Sequence, residues 1–350
     1  MTETFESHSI FAGDFPATGT PQEKLRFLLS FAILAPSSHN SQPWRFRLCG
    51  DCVELNADRS RSLPVVDPQD RELVISCGVA LQHLQVALRR FGYTGKVEVF
   101  PDPTNRDLLA RIGLGESHLP DSNDERLFQS LFARHTNRKS FHDTRIPAEV
   151  LAHLEAVVAR EGVWFQVVPA GECRETLAQL IAHADRDQLA DPRFRRELAH
   201  WIHPHVSQLM LAHDGIPGEA LGMPGLIADV GPFLVRTFDT GVLFSARDRQ
   251  LAINSPLLVV LGTTDDTPPA WLQTGRALSD LLLYVTSEGI VGSYLNAPIE
   301  VAEWRPRIGE ALGQAGHPQL ILRLGYSDPT GPTPRRPLTE VLESMEMGKD

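Results

Sequence analysis

Gly78-Val79-Ala80-Leu81-Gln82-His83-Leu84-Gln85-Val86-Ala87-Leu88-Arg89-Arg90-Phe91-Gly92 carries leucine and alanine at helical spacing and ends on a glycine. The run from about Glu72 to Phe91 therefore reads as an apolar helix, with Gly92 as the left-handed residue just past its end. The pattern G-x-A-L-x-x-L with a closing glycine returns 197 residues later as Gly275, Ala277, Leu278, Leu281 and Gly289. A repeat in register between two apolar helices predicts a chain of two similar halves, each with a central buried helix.

Each half also keeps a segment the other lacks. Ala35-Pro36-Ser37-Ser38-His39-Asn40-Ser41-Gln42-Pro43-Trp44-Arg45-Phe46 joins an apolar helix, stopped by Pro36, to a strand in which Trp44, Phe46 and Leu48 alternate with Arg45 and Arg47. Its serines and amides suit either a capped turn or a ligand loop, and the residues alone leave both open. Moved by the repeat distance, Pro36 falls on Phe233, where nothing similar stands. Arg134-His135-Thr136-Asn137-Arg138-Lys139-Ser140-Phe141, in turn, would map to before residue 1. If this basic segment is helical, Arg134 and Arg138 share a face, and their forks with the Thr136 hydroxyl suit phosphate oxygens; a solvated basic helix end is the plain alternative. Pro334-Arg335-Arg336-Pro337 holds a second basic pair in a stiff frame. Packed as a pseudo-dimer, the two halves would bring loop and basic segment into one composite site.

The rest of the chain bounds this picture. Its 350 residues, 42% hydrophobic and 22% charged, suffice for a large core in one or two domains. A net charge of −11 argues against nucleic acid or an anionic membrane as partner. No apolar run approaches the ~20 residues of a bilayer span. The acidic start, Met1–Glu6, has no apolar leader, and four cysteines are few, so a reduced, cytoplasmic protein is expected. Cys49-Gly50-Asp51-Cys52 reads as a hairpin turn rather than a redox pair, because strands flank it.

Strands are expected at Val97–Phe100, Ala110–Leu114, Val163–Val168, Ser255–Gly262 and Gln319–Leu324. Helices are expected at Leu127–Ala133, after Pro147, within the charged stretch 172–213, and at Ala277–Ser287. The acidic stretch Asp121–Glu125 divides an N-terminal half, 1–125, from a C-terminal half, 126–350, and the Gly- and Pro-rich excursion 214–247 reads as a lid. The histidines of His200-Trp201-Ile202-His203-Pro204-His205 have no acidic or cysteine ligand placed with them, so no metal is expected. There is no G-x-S-x-G elbow, and Gly113-Leu114-Gly115 meets His118 where a dinucleotide loop needs its third glycine.

The Ala35–Phe46 loop and the Arg134–Phe141 segment resemble the two signature segments of the FMN-binding nitroreductase superfamily. With Arg71–Gly78, Asp214–Pro217, Ala297-Pro298-Ile299-Glu300 and Thr333–Pro337, the chain resembles its fused, Acg-like branch. The resemblance implies an α+β, nitroreductase-like fold duplicated in one chain as an intramolecular pseudo-dimer, with antiparallel-rich sheets and central helices. It implies one FMN per chain, because a second site would lack both segments. By the same resemblance Arg134, His135, Thr136 and Arg138 hold the phosphate and neighbouring ribityl oxygens, joined by Arg335 or Arg336. Pro36, Ser37, Ser38 and Asn40 line the flavin from the other half, and Gly289 and Pro298, in the stretch Ala297–Glu300, approach its ring edge. Arg247 and Gln250 are the nearest candidates for the polar pair that faces the flavin. The implied activity is reduction of nitroaromatic or similar electron-poor small molecules by NADH or NADPH through the flavin, with no catalytic side chain and no metal. The other outcome implied by that branch is a flavin-sequestering protein whose lid prevents turnover. The protein is expected to act as a monomer, with no nucleic-acid or membrane partner.

Overall fold

A computed structural model of the chain describes residues 12–203, 212–218 and 226–343. The first helix, α1 (Pro21–Ala32), starts on a Thr20–Glu23 capping box, with Pro21 in its first turn where no amide partner is needed. Strands β1 (Trp44–Cys49) and β2 (Cys52–Ala57) form a hairpin in which Cys49 faces Cys52 and Gly50 takes a left-handed φ of 57°. All four cysteines are free, and the hairpin reading of Cys49–Cys52 holds. Helix α2 (Arg71–Arg90), β3 (Lys96–Val99) and β4 (Leu108–Gly113) complete an antiparallel sheet of order β1-β2-β4-β3.

Helices α3 (Ser122–Ala133) and α4 (Ala148–Ala159) lead to β5 (Trp164–Val167). Then come α5 (Glu172–Ala190), α6 (Pro192–His200) and the two-residue strands β6 (Ile202–His203) and β7 (Ile216–Pro217), which pair in parallel. Helices α7 (Leu226–Thr237) and α8 (Gly241–Asn254) precede β8 (Leu257–Thr263), α9 (Pro268–Ser287) and β9 (Val291–Tyr294). The chain continues through α10 (Ala297–Glu300), α11 (Arg305–Leu312), β10 (His317–Gly325) and α12 (Leu338–Val341). The second sheet has the order β5-β8-β10-β9. Each half thus runs strand, strand, 20-residue helix, strand, strand, with the same neighbour order in its antiparallel sheet. The second half differs by inserting α5 to α8 between its first two strands.

The two long helices pack against each other at the repeated glycines. A Cβ added to Gly78 would stand 2.3 Å from the Leu272 carbonyl oxygen, and one added to Gly275 would stand 2.0 Å from that of Ile75. The backbones are therefore in direct contact, which only glycine allows. Ala80, Leu81 and Leu84 on one helix, and Ala277, Leu278 and Leu281 on the other, are buried around the crossing. The sheets follow their cover. In β1 Trp44 and Phe46 are buried while Arg45 and Arg47 are exposed; β8 is buried at every position, with Val259 and Leu261 in the central core and Leu258 and Val260 in a second cluster with α5 and α8.

The tail returns to the first half. Leu342 bridges Phe46, and the Glu343 amide donates to the Phe46 carbonyl at 2.8 Å, which carries Thr333–Pro337 past the Pro36 loop. The excursion 214–247, read as a lid, contains regular elements. Ile216–Pro217 is a strand, Leu226–Thr237 a helix despite Pro232, and from Gly241 the chain is already α8, packed on α5 as part of the body. Gly and Pro masked the helical pattern there; residues 219–225 lie outside the described residues. No helix among the described residues is long and apolar enough to cross a membrane.

Gly275→Ala and Gly78→Ala should each cost ~1–3 kcal/mol or more, because a carbonyl must move to admit the methyl group. Gly331→Ala, with open space at its Cβ, serves as the control. Thermal denaturation compares the three; unchanged midpoints in the helix variants would contradict the close crossing.

Candidate functional site

The Pro36 loop is built under strain. His39, Asn40 and Gln42 have φ of 52°, 54° and 52°, the left-handed region that side chains avoid. The surroundings hold it there. Ser37 Oγ accepts from the Gln42 amide at 2.8 Å, Gln42 Nε2 donates to the carbonyls of Asn40 at 3.2 Å and His213 at 2.8 Å, and Gln42 Oε1 accepts from the Arg336 amide at 2.8 Å. Arg61 adds bonds to the Ser41 carbonyl and to Asp214. Strain maintained by this many partners is characteristic of functional loops rather than plain turns. The loop sits on the start of α2, where Ser38 Oγ donates to Glu72 at 2.5 Å and the Ser38 amide reaches Ser76 Oγ at 3.4 Å.

The basic segment is extended, not helical as the Arg134–Arg138 spacing allowed. Arg134 ends α3, and Thr136 then bridges Gly292 on the edge strand β9, with the Asn137 amide donating to the Gly292 carbonyl at 3.0 Å. Buried Arg323 secures it from below, donating to the carbonyls of Lys139 at 2.9 Å and Asn137 at 3.2 Å while resting over the Phe141 ring. Arg323 and Asn137 are supports that the sequence pattern gave no reason to select.

Loop and segment meet. One cleft of about 250 Å³ is lined by Pro36, Ser37, Ser38 and His39 from the first half and by Thr136 and Arg138 from the second. Ile75, Val79, Leu278 and Leu320 give it apolar walls, and Asn296, Ala297 and Glu300 close one end. Burial, then the Arg138 charge, holds the His39 imidazole down at about 4, so it is neutral at pH 7. Arg134, His135 and Arg335 do not line the cleft themselves; Arg134 lies in the interior, 5% exposed, and its Nε has no hydrogen-bond partner. His135 is lowered to about 4 by burial and then by Arg134 and Arg335, which shows the three groups to be neighbours. Among the described residues no carboxylate forms an ion pair with Arg134, Arg138 or Arg335. Buried cations without counter-charges are costly and call for an anion.

The remaining expected residues divide. Arg335 donates only to neutral groups, among them the Ala35 carbonyl at 3.1 Å and Asn40 Oδ1 at 3.1 Å, and burial followed by Arg134 pushes it down to about 9. Arg336 is held by Glu340 and faces Asp58 at 3.8 Å, so its charge is already answered. Asn40 spends its amide on the Pro334 carbonyl and Arg335, and supports the site without lining the cleft. Pro298 is buried in α10, and its neighbours Ala297 and Glu300 line the cleft in its place. Gly289 is an exposed helix-ending residue with φ of 72°, outside the cleft; the glycine that meets the basic segment is Gly292. Gln250 lines a different cavity, and Arg247 donates to the Arg138 carbonyl at 3.1 Å. Leu198 of α6 and Ile216 of β7 also line the cleft, one before the expected lid and one at its start. His203 turns to Asp214 at 3.3 Å, while Pro204 and His205 lie outside the described residues.

Across nearly its whole length the chain is similar to Rv3131 of Mycobacterium tuberculosis, described as a putative NAD(P)H nitroreductase. The two are 34% identical over 333 residues, 93% of this chain and 92% of the relative. This chain belongs to the nitroreductase family. The nitroreductase relatives also include Acg of M. tuberculosis, 27% identical with 93% of this chain and 97% of that one covered. PigM of a Serratia species, described as a probable NAD(P)H nitroreductase, is 25% identical over 93% of this chain and 95% of its own. No protein-family model matches the chain. Among solved structures, the FMN-dependent nitroreductase NfnB of Mycobacterium smegmatis in complex with NADPH superposes with a TM-score of 0.41 at 16% identity, covering 64% of this chain and 100% of that one.

The site carries a direct test of its unpaired charge. Arg134→Met should raise the stability of the ligand-free protein by ~1–4 kcal/mol, because it removes an unanswered buried cation. The same change should abolish the rise in melting temperature that inorganic phosphate gives the wild type. A destabilised variant that still responds to phosphate would contradict the anion-site assignment.

Proposed function

We propose that the cleft binds FMN and that the protein is an FMN-dependent NAD(P)H oxidoreductase acting on nitroaromatic or similar electron-poor small molecules. The observation that carries this is the meeting of the strained Pro36–His39 loop with Thr136 and Arg138 in one cleft, backed by buried Arg134 and Arg335 that form no ion pair, in a member of the nitroreductase family. The chain's residues fit the cofactor. Arg134, Arg138 and Arg335, with the hydroxyl of Thr136 and neutral His135, supply an unanswered positive site for a phosphate dianion, and Arg335 is preferred over Arg336, which Glu340 and Asp58 engage. Pro36, Ser37 and Ser38 present small, flat contacts, and Ile75, Val79 and Leu278 an apolar bed for a ring system.

Bound there, the flavin supplies the chemistry of accepting a hydride and passing electrons on. The protein's part is to fix the ring by its phosphate, press the loop against it and exclude water. Residues 1–125 and 126–350 act in this reading as the two partners of a pseudo-dimer, one chain in the cytoplasm making one site. A second reading, flavin storage with little turnover, is favoured by Ile216, through which the expected lid segment lines the cleft.

Arg134→Ala combined with Arg138→Ala should lose FMN on purification, since each charge-assisted phosphate contact is worth ~1.5–3 kcal/mol. Absorbance of the purified protein reads this directly, and stoichiometric flavin in the double variant would refute the phosphate assignment. Anaerobic stopped flow separates the two functions. An oxidoreductase is bleached by NADH or NADPH, whereas a storage protein yields only to dithionite.

A further inference from the structure

The cleft has a second electrostatic character that flavin binding leaves unused. Beyond its arginine end it is lined by four carboxylates: Glu72 of α2, Asp185 of α5, Asp248 of α8 and Glu300 of α10. Two of them have hydrogen-bonding partners, and a third has cations near it. Glu72 is held by Arg71 at 3.0 Å and Ser38 at 2.5 Å, Glu300 accepts from Gln188 Nε2 at 2.6 Å, and Asp248 faces Arg247, Arg323 and Arg138. Asp185 has none. It is 8% exposed, lines the cleft, and its Oδ2 is buried without a hydrogen-bond partner. Gln188, one turn further along α5, is occupied by Glu300 and does not turn to it.

We propose that Asp185, backed by Glu300 and Asp248, is a recognition subsite for a cationic nitrogen (an amidinium, guanidinium or protonated amine) on the molecule this protein reduces. The inference rests on the oxidoreductase reading above and names the substrate class for that same cleft. Ionising a buried carboxyl with no partner is costly, and a cation brought in on an apolar body offsets that cost. The body has apolar surface to meet, because Leu198, Ile216 and Leu320 line the same cleft.

The groups around Asp185 set the pH behaviour. Asp248 faces it from α8, with Arg247 acting on Asp248; Glu300 faces it from α10, and Glu72 and Arg71 of α2 act on Glu300. On α6, Arg193 is engaged by Asp191 and Glu197 by the amides of Val65 and Val66; on α11, Arg305 is engaged by Asp266 and Arg307 by Glu303. Burial, then Asp248, pushes the Asp185 carboxyl up to about 8, so it holds a proton at neutral pH. A cation that pairs with it must displace that proton. Cation affinity therefore rises with pH up to about 8 and levels off above it.

Calorimetry on the flavin-loaded protein, with benzamidine as probe and benzamide as its neutral isostere, tests the subsite. The expected result is benzamidine bound about tenfold or more tightly than benzamide above the Asp185 pKa. Its affinity should fall about tenfold for each pH unit below that point, with about one proton released per probe bound. Asp185→Asn should abolish the preference, and Glu300→Gln should reduce it. Equal binding of the two compounds, no binding of either at millimolar concentration, no proton release, or a preference that survives Asp185→Asn would each overturn the proposal. The proton count needs only the wild type, so the test stands even if a variant fails to fold. The flavin absorbance of the same sample reports separately on the cofactor assignment.

Discussion

The backbone contact between Gly78 and Gly275 is the constraint on which the rest of the structure depends. Two long helices can approach this closely only where neither carries a side chain, and here each glycine faces the carbonyl of a residue three positions before its partner. Because the contact is nearly symmetric, it fixes the two halves about their repeat. The start of α2, with Glu72, Ser76 and the Pro36 loop seated on it, then comes to rest against the ends of β9 and β10 from the other half. Arg71 stitches the same boundary by donating to the Gln319 carbonyl at 2.7 Å. The cleft is what remains between two bodies that the glycines hold in one arrangement.

Within that cleft the charges are separated. Arg138 lines it without an ion pair, with Arg134 and Arg335 buried outside the lining; Asp185 lines it without a cation, and Asp248 stands between the two characters, within the field of Arg138. The distribution matters more than the sum, since a chain of net charge −11 binds an anion only where its cations are concentrated and its carboxylates kept away. Arg323 and Arg336 show the contrast. Both are buried, but Arg323 has Asp248 near it and holds the basic segment from below, and Arg336 is paired with Glu340, so each charge is answered within the protein.

Much of this was legible in the residues, and the limits have physical causes. The repeat was readable because close helix packing demands glycine at a fixed place, and the loop because proline and short polar residues interrupt an apolar pattern. The separation of loop and basic segment into different halves, read from their missing counterparts, matches the way the two line one cleft. Gly289 was misplaced because a helix-ending glycine and a glycine beside a ligand look alike in sequence; only the strand pairing of Gly292 tells them apart. Arg134 and Arg138 were spaced for a helix, but edge pairing with β9 overrode that spacing. Asp185, Asp248 and Gln188 went unseen because they lie on charged helices, where a carboxylate every few residues is ordinary and only the tertiary fold shows which one faces inward. The excursion 214–247 hid two helices behind its glycines and prolines.

The central claim is that two unlike halves make a single cofactor site, and flavin stoichiometry tests it most directly. Extracted flavin measured against protein concentration should give one FMN per chain. Two per chain would mean that each half carries its own site, and none after reconstitution with excess FMN would mean that the arginines serve another anion; either result would contradict the account.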